Sequence, residues 1–214
     1  MNRFLPIIAG LLLSNAAFAG PTKPSVIKIV SRFISPQIPP DSFAAKPKTV
    51  YIAGDSYSRV EEEPDAEHGI HGLIVVSEPD SWMINLFDHS GRHIVDPGPT
   101  FIVHHNILER EAPKEFASFE FGKEIAFMRT HKAVSLASRE IDHQRCEASE
   151  FKHEAYRIVL YTTSDAHIPF QLEIYKDGKL DFEVRYISYQ TDLPFDANLF
   201  KPPSGITIIE EPHK

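Results

Sequence analysis

The stretch Ile168–Gln190, IPFQLEIYKDGKLDFEVRYISYQ, decides the fold class of this chain. Apolar residues alternate with polar ones on both sides of Asp177-Gly178: Phe170, Leu172 and Ile174 before it, and Leu180, Phe182, Val184 and Tyr186 after it. A period of two indicates strands with one dry face and one wet face. Asp-Gly supplies the positive φ angles of a type I′ turn. The stretch therefore predicts a β-hairpin, which needs further strands or a covering helix to be stable.

Similar alternation recurs along the chain and predicts about nine to eleven strands in meander order. Val26–Phe33 is apolar and β-branched and favours a strand, but its apolar residues also fit one face of a helix. Thr49–Glu62 fits a strand with a bend at Gly54, and Trp82–Leu86 begins a second hairpin. Pro113–Met128 is more helical and amphipathic. These features predict a mainly β, α+β fold built on a largely antiparallel, strongly curved sheet.

Residues 1–19 have the order of features that is typical of a cleaved export signal. Arg3 supplies a positive charge, Phe4–Leu13 is apolar, and Ala17-Phe18-Ala19 precedes Gly20, the expected first mature residue. The apolar run is shorter than the roughly 20 residues of a membrane-spanning helix. No cysteine follows it that could carry a lipid anchor. The sequence therefore predicts a periplasmic protein that is neither lipid-anchored nor an integral membrane protein, with residues 20–214 as a single domain.

The charge balance and the single cysteine restrict the function further. Thirty acidic residues against 22 basic ones give a formal net charge of -8, which argues against nucleic acid as a partner because phosphates require clustered cations. Cys146 is the only cysteine, which excludes an internal disulfide. It lies in a charged stretch without a recognisable catalytic partner, so we interpret it as a non-catalytic thiol.

Two patterns raise the question of enzymatic or metal chemistry. Gly54-Asp55-Ser56 resembles the start of a GDSL-type hydrolase, but the residues after it fit a strand, and Glu210-Glu211-Pro212-His213 replaces the Asp-x-x-His that such enzymes need. The adjacent His104 and His105 would point to opposite faces of a strand and could not bind one ion together. We predict no catalytic residue, no metal site and no cofactor.

The aromatic residues, 15 Phe, 7 Tyr and 1 Trp, suggest a further possibility. A large curved sheet cannot fill its inner side with its own side chains, so that side is either plugged by helices or left as an apolar ligand cavity. The candidate cavity-lining residues are Trp82, Ile84, Leu86, Phe170, Leu172, Phe182 and Val184. Core and cavity wall share one sequence pattern, and both interpretations stay open.

Several short segments together resemble the outer-membrane lipoprotein-sorting protein superfamily, the LolA-like periplasmic carriers. They are Tyr51–Asp55 with Arg59–Glu61, Trp82–Leu86, Asp96–Pro99, Tyr186–Tyr189, and Asp196–Gly205 with its Leu-Phe-x-Pro-Pro-x-Gly ending. The resemblance implies an incomplete antiparallel β-barrel, or half-barrel, with a small helical lid over an apolar cavity. It also implies that Arg59 contacts the lid by bonding backbone carbonyls. The chain departs from the well-known carriers in its proline-rich mature start, which marks it as a divergent branch.

The resulting hypothesis is a periplasmic, non-enzymatic binding or carrier protein for a lipid, an acylated lipoprotein or another apolar ligand. Exposing an acyl chain to water costs about 0.8 kcal/mol per CH₂, and an apolar cavity removes that cost. The alternative is a filled-core interaction protein of the cell envelope that binds an inner- or outer-membrane protein partner through a sheet edge. A hydrolase that uses Ser56 is the third hypothesis.

Overall fold

A computed structural model describes residues 24–108 and 112–210 of the chain. The predicted export signal, residues 1–19, lies outside the described residues. The strands are β1 (Val26–Ile34), β2 (Lys48–Ala53), β3 (Tyr57–Glu62), β4 (Gly72–Ser77), β5 (Asp80–Asn85), β6 (Ser90–Val95), β7 (Val134–Ile141), β8 (Gln144–His153), β9 (Tyr156–Thr163), β10 (Pro169–Lys176), β11 (Lys179–Leu193) and β12 (Thr207–Glu210). One α-helix, α1 (Glu124–Thr130), and 3-10 turns at Phe43–Ala45 and Lys114–Phe116 complete the regular structure of the described residues.

All twelve strands form one sheet in the order β12-β6-β5-β4-β3-β2-β1-β11-β10-β9-β8-β7. The first six strands form one meander and β7 to β11 form another, and β11 returns to pair with β1. Every pairing is antiparallel except that of β12 with β6. The two edge strands, β12 and β7, do not meet, so the sheet is a half-barrel that is not closed. The predicted fold class, a curved antiparallel half-barrel with a small helical lid, is confirmed.

The hairpin that decides the fold is present as predicted. β10 and β11 pair from Gln171↔Arg185 to Lys176↔Lys179, and the turn residues Asp177 and Gly178 have φ angles of 51° and 76°. Both central positions are therefore in the positive-φ region that the Asp-Gly sequence favours. Lys28 to Phe33 of β1 then add a further antiparallel partner along β11.

Two local predictions were wrong, and one strand was not predicted. Thr49–Glu62 is not one bent strand but a hairpin, β2 and β3, because Gly54 has a φ of 57° and reverses the chain. The amphipathic stretch Pro113–Met128 forms only a 3-10 turn and the start of α1. The charged stretch around Cys146, for which no element was predicted, is strand β8, whose polar side chains form ion pairs such as Glu150 with Lys152 at 2.8 Å.

The two faces of the sheet are covered by different parts of the chain. The inner face carries Ile29, Val50, Leu172 and Val184, which pack against Ile107, Leu108 and residues 112–133, here called the cover. The outer face carries three smaller clusters, one of which is centred on Phe200 in the segment after β11. Cys146 is buried in another of these clusters, and burial raises the pKa of its thiol.

Candidate functional site

The cover fills the inner face over β1, β2 and β8 to β11, here called the covered half. Phe119 and Phe127 are buried with their rings 4.7 Å apart, and Phe127 also contacts Phe151 of β8. The same cluster includes Val50 of β2 and Ile158 of β9, which belong to strands separated by three others in the sheet. The covered half is therefore a packed core.

The inner face over β3 to β6 and β12, here called the open half, presents apolar side chains to solvent. Strand pairing joins Val60↔Ile74, Ile74↔Met83, Met83↔Arg92 and Arg92↔Ile209 into one row across five strands. Val60 packs against the core, whereas Ile74, Met83 and Ile209 are 40%, 53% and 63% exposed. Exposure of this apolar row thus rises with distance from the cover.

The apolar row borders a surface depression of the inner face with a volume of about 410 Å³. The residues that line it are Met83, Ile84, Asn85, Ser90, Gly91, Arg92 and Ile209. A second cavity of about 180 Å³ lies at the margin of the covered half, where Phe33, Ile38, Leu108 and Phe182 contribute apolar walls. Sites for small organic ligands usually measure about 300–1,000 Å³, so the depression on the open half is of that size and the marginal cavity is not.

A buried carboxyl group ties the cover to the sheet. Glu124, the first residue of α1, is 0% exposed and accepts hydrogen bonds from the phenols of Tyr186 at 2.9 Å and Tyr189 at 3.1 Å, both on β11. Burial raises the pKa of Glu124, and hydrogen bonds from these phenols and from backbone N–H groups oppose that shift. Burial also raises the pKa of both tyrosines, so their hydroxyls stay protonated and can donate.

The seven candidate lining residues do not come together. Leu172 and Val184 are buried, and Phe182 packs beside them on the covered half of the inner face. Ile84 borders the depression next to Met83, but its side chain belongs to an outer-face cluster around Leu73 and Val75, with Trp82 and Leu86 packed against it. Phe170 also packs on the outer face, below the guanidinium of Arg185, because the pairing of β10 with β9 shifts between Pro169 and Gln171. A lining role stays a prediction for these residues.

Arg59 bonds a backbone carbonyl, but in a different segment from the expected lid. Its Nη1 donates to the carbonyl of Leu199 at 3.4 Å, and its Nη2 lies 3.0 Å from Glu61 Oε2. Leu199 belongs to the segment between β11 and β12, which packs on the outer face. The arginine therefore contacts the C-terminal segment, on the side of the sheet opposite the cover.

The serine and histidine candidates for catalysis or metal binding are not brought together in the described residues. Ser56 lies in the turn before β3, where its carbonyl accepts the N–H of Glu78 at 2.9 Å, and strand rather than helix follows it. His213 lies outside the described residues. His104 Nδ1 is 2.7 Å from Glu120 Oε1. Within residues 24–108 and 112–210, no group of three His, Cys, Asp or Glu side chains could hold a metal ion.

The apolar row itself was missed by sequence reasoning. Alternation in β5 placed Trp82 and Ile84 on the inner face and Met83 on the wet face, but the pairing reverses this assignment. A signal was available in β4, where Leu73 and Val75 occupy one face while Ile74 and Val76 occupy the other. Apolar residues in both phases indicate a strand that is dry or ligand-contacting on both sides.

Comparison with known proteins gives distant structural similarity alone. No family model matches the chain, and no curated protein matches it. An uncharacterized conserved protein from Thermus thermophilus aligns over 87% of this chain and 91% of its own, with 9% identity and a TM-score of 0.49. MucB in complex with MucA(peri) aligns over 84% and 55%, with 9% identity and a TM-score of 0.40. A proposed outer membrane lipoprotein-sorting protein domain from Vibrio parahaemolyticus aligns over 82% and 88%, with 13% identity and a TM-score of 0.34.

The half-barrel with a helical cover is the architecture that the resemblance to lipoprotein-sorting proteins predicts. Among the described residues, no helix has the length and hydropathy that a bilayer crossing requires.

Proposed function

We propose that this chain is a periplasmic, non-enzymatic binding or carrier protein that holds an apolar ligand, such as the acyl chain of a lipid or lipoprotein, against the open half of the inner face. The observation that carries the proposal is the exposed apolar row through Ile74, Met83 and Ile209. Each Å² of apolar surface removed from water contributes about 25 cal/mol, so a ligand that covers this row gains binding free energy from surface that the fold leaves exposed.

The shape of the row supports a chain-like ligand over a folded partner. It crosses five strands, which at about 4.8 Å between neighbouring strands gives a length of roughly 19 Å. Val60, Ile74 and Met83 form its continuous apolar part, and Arg92 separates them from Ile209. The neighbouring row on the same face includes Glu62, Asn85 and Ser90, so polar groups limit its width on that side. A helix with its side chains is about 10–12 Å across, whereas an extended acyl chain is narrower and matches a stripe of single residues.

The cover supplies a second element of the proposal. The row is continuous with the core through Val60, so displacement of the cover would extend the apolar surface from the open half into the covered half. A ligand that binds the displaced state better shifts the equilibrium toward it by its differential affinity. The closed cover described above would then be the ligand-free state of the carrier.

The test is binding of a fluorescent fatty-acyl probe to the mature chain, measured by titration. Ile74→Glu and Met83→Glu should each weaken binding at least about tenfold, or roughly 1.4 kcal/mol, since each removes apolar contact surface and places a carboxylate that is costly to desolvate against the ligand. Ile187→Glu on β11 is the matched control, because Ile187 is 56% exposed but lies outside the row. Equal affinity in all three variants would contradict the proposal, and thermal unfolding of each variant checks that it folds.

A further inference from the structure

We infer that the outer edge of β7 is a docking site for an extended, acidic segment of a protein partner, which adds to the sheet as a thirteenth strand. This inference is independent of the apolar row, because β7 and β12 are opposite edges of the sheet. β7 pairs with β8 on one side, and within residues 24–108 and 112–210 no strand pairs with its other side. Seven of its eight residues are exposed.

An unpaired strand edge presents a row of backbone N–H and C=O groups that another extended segment can bond. Folded proteins usually block such edges with charges, proline, bulges or a covering element. The second half of β7 has such protection, with a register shift after Leu136 followed by Arg139 and Glu140. The first half, Val134–Leu136, contains no charge, proline or glycine, and both apolar side chains are exposed.

The charge around the unprotected half favours an acidic occupant. Arg129, in the last turn of α1, and Lys132, just before β7, are both exposed, and the N–H of Lys132 bonds the carbonyl of Arg129 at 3.1 Å. Neither side chain forms an ion pair with any residue in the described ranges. Two unpaired cations next to an uncharged edge in the sequence favour a strand that carries carboxylates at that end.

The probe is a fluorescein-labelled octapeptide of alternating valine and threonine with two aspartates at one end, and anisotropy reports its binding to the mature chain. Two control peptides separate the contribution of backbone hydrogen bonds from that of charge. One is N-methylated at alternate amides, and the other has lysines in place of the aspartates. Both should bind at least about tenfold more weakly, because the first loses strand hydrogen bonds and the second places like charges together.

Two proline variants identify the edge without unfolding the sheet. Neighbouring residues of a strand direct their N–H groups to opposite sides, so one of Ser135→Pro and Leu136→Pro removes an N–H that faces outward. That variant should keep the wild-type melting temperature, as proline is tolerated on the free side of an edge strand, and should lose peptide binding. Arg129→Gln combined with Lys132→Gln should weaken binding of the acidic peptide by about threefold, in line with exposed ion pairs.

Three results would overturn the inference. One is equal binding of the N-methylated peptide, and another is unchanged peptide binding in both proline variants when they are folded. The third is a wild-type dimer that the outward-facing proline variant dissociates, which would make a second copy of the chain the occupant. Affinity for the fatty-acyl probe should stay unchanged in all β7 variants, so failure here is distinguishable from failure of the proposed function.

Discussion

Tyr186 on β11 donates a hydrogen bond to Glu124, the first residue of α1, across 2.9 Å in a fully buried environment. Tyr189 donates to the other carboxyl oxygen at 3.1 Å. This pair of contacts joins the cover to the inner face through a group that water cannot reach. The cover is therefore held by two specific buried hydrogen bonds to Glu124 in addition to its apolar packing.

The buried Glu124 carboxyl should make the stability of the closed cover depend on pH. Because burial raises the pKa of Glu124 above its ordinary value, the closed state binds a proton more tightly than the open state. The stability of the closed cover should therefore be fully present below about pH 4.3, the ordinary glutamate value, and should fall as pH rises toward the raised pKa. Hydrogen exchange of the α1 amides, corrected for intrinsic rates, should show more frequent opening at pH 8 than at pH 5.

Glu124→Gln is the matched control for this pH effect, since glutamine keeps a side-chain acceptor for one tyrosine but does not titrate. In Glu124→Gln, hydrogen exchange of the α1 amides, corrected for intrinsic rates, should no longer depend on pH through residue 124. The β9 and β10 amides serve as the internal reference. A pH slope in Glu124→Gln equal to that of the wild-type chain would rule out Glu124 as its cause.

A second pH-dependent contact holds the edge strand β12. His93 on β6 lies 2.6 Å from Glu210 and 2.9 Å from Asp80, and it stacks on Trp82 with ring centroids 4.9 Å apart. Partial burial favours the neutral ring, but hydrogen bonds and charges of Glu210 and Asp80 outweigh it and raise the pKa of His93. The stabilisation of docked β12 by protonated His93 should be complete below about pH 6.5, the ordinary histidine value. It should be lost as pH rises through the raised pKa of His93.

Hydrogen exchange of the β12 amides tests the His93 contact directly. Protection should be lower at pH 8.5 than at pH 5.5 in the wild-type chain, and Glu210→Gln should remove most of the difference, because Asp80 on β5 stays beside His93 whether or not β12 is docked. His93→Gln should abolish it. Persistence of the full pH response in His93→Gln would mean that another group controls docking of β12.

Substitution of Leu172 tests whether the covered half of the inner face is a packed core or a cavity wall. It is fully buried beneath the cover, so Leu172→Ala should lower the free energy of unfolding by about 2–5 kcal/mol, measured by urea denaturation with an unchanged m-value. Leu136→Ala, at an exposed position of β7, should change it by about 0.5 kcal/mol or less. Unchanged stability of Leu172→Ala together with weaker binding of the acyl probe would instead identify Leu172 as a ligand-contacting residue.

Alternation and turn chemistry were sufficient to predict most of the sheet. The Asp177-Gly178 hairpin and strand β5 form where period-two patterns occur, whereas β1 and β9 form at apolar, β-branched runs. β8 was not predicted since its polar residues are satisfied by cross-strand ion pairs such as Glu150 with Arg157. Those pairs depend on the partner strand and leave no local signal.

The candidate site was less predictable because a periodic pattern does not indicate which face of a strand is the inner one. Trp82 and Leu172 have the same local pattern and lie on opposite faces. A one-residue shift before Gln171 moves Phe170 to the outer face. Strand register thus decides which face of the sheet a side chain occupies. The burial of Glu124 likewise depends on two tyrosines more than sixty residues away.

The most direct test of the carrier account is denaturing organic extraction of the mature chain after export to a bacterial periplasm, followed by mass analysis of the extract. The account predicts about one acyl-bearing molecule per wild-type chain, strong depletion of it in Met83→Glu, and wild-type occupancy in Ile187→Glu. A wild-type chain that yields no lipid or acylated peptide and takes up no fatty-acyl probe, or a Met83→Glu variant that retains full occupancy, would contradict it.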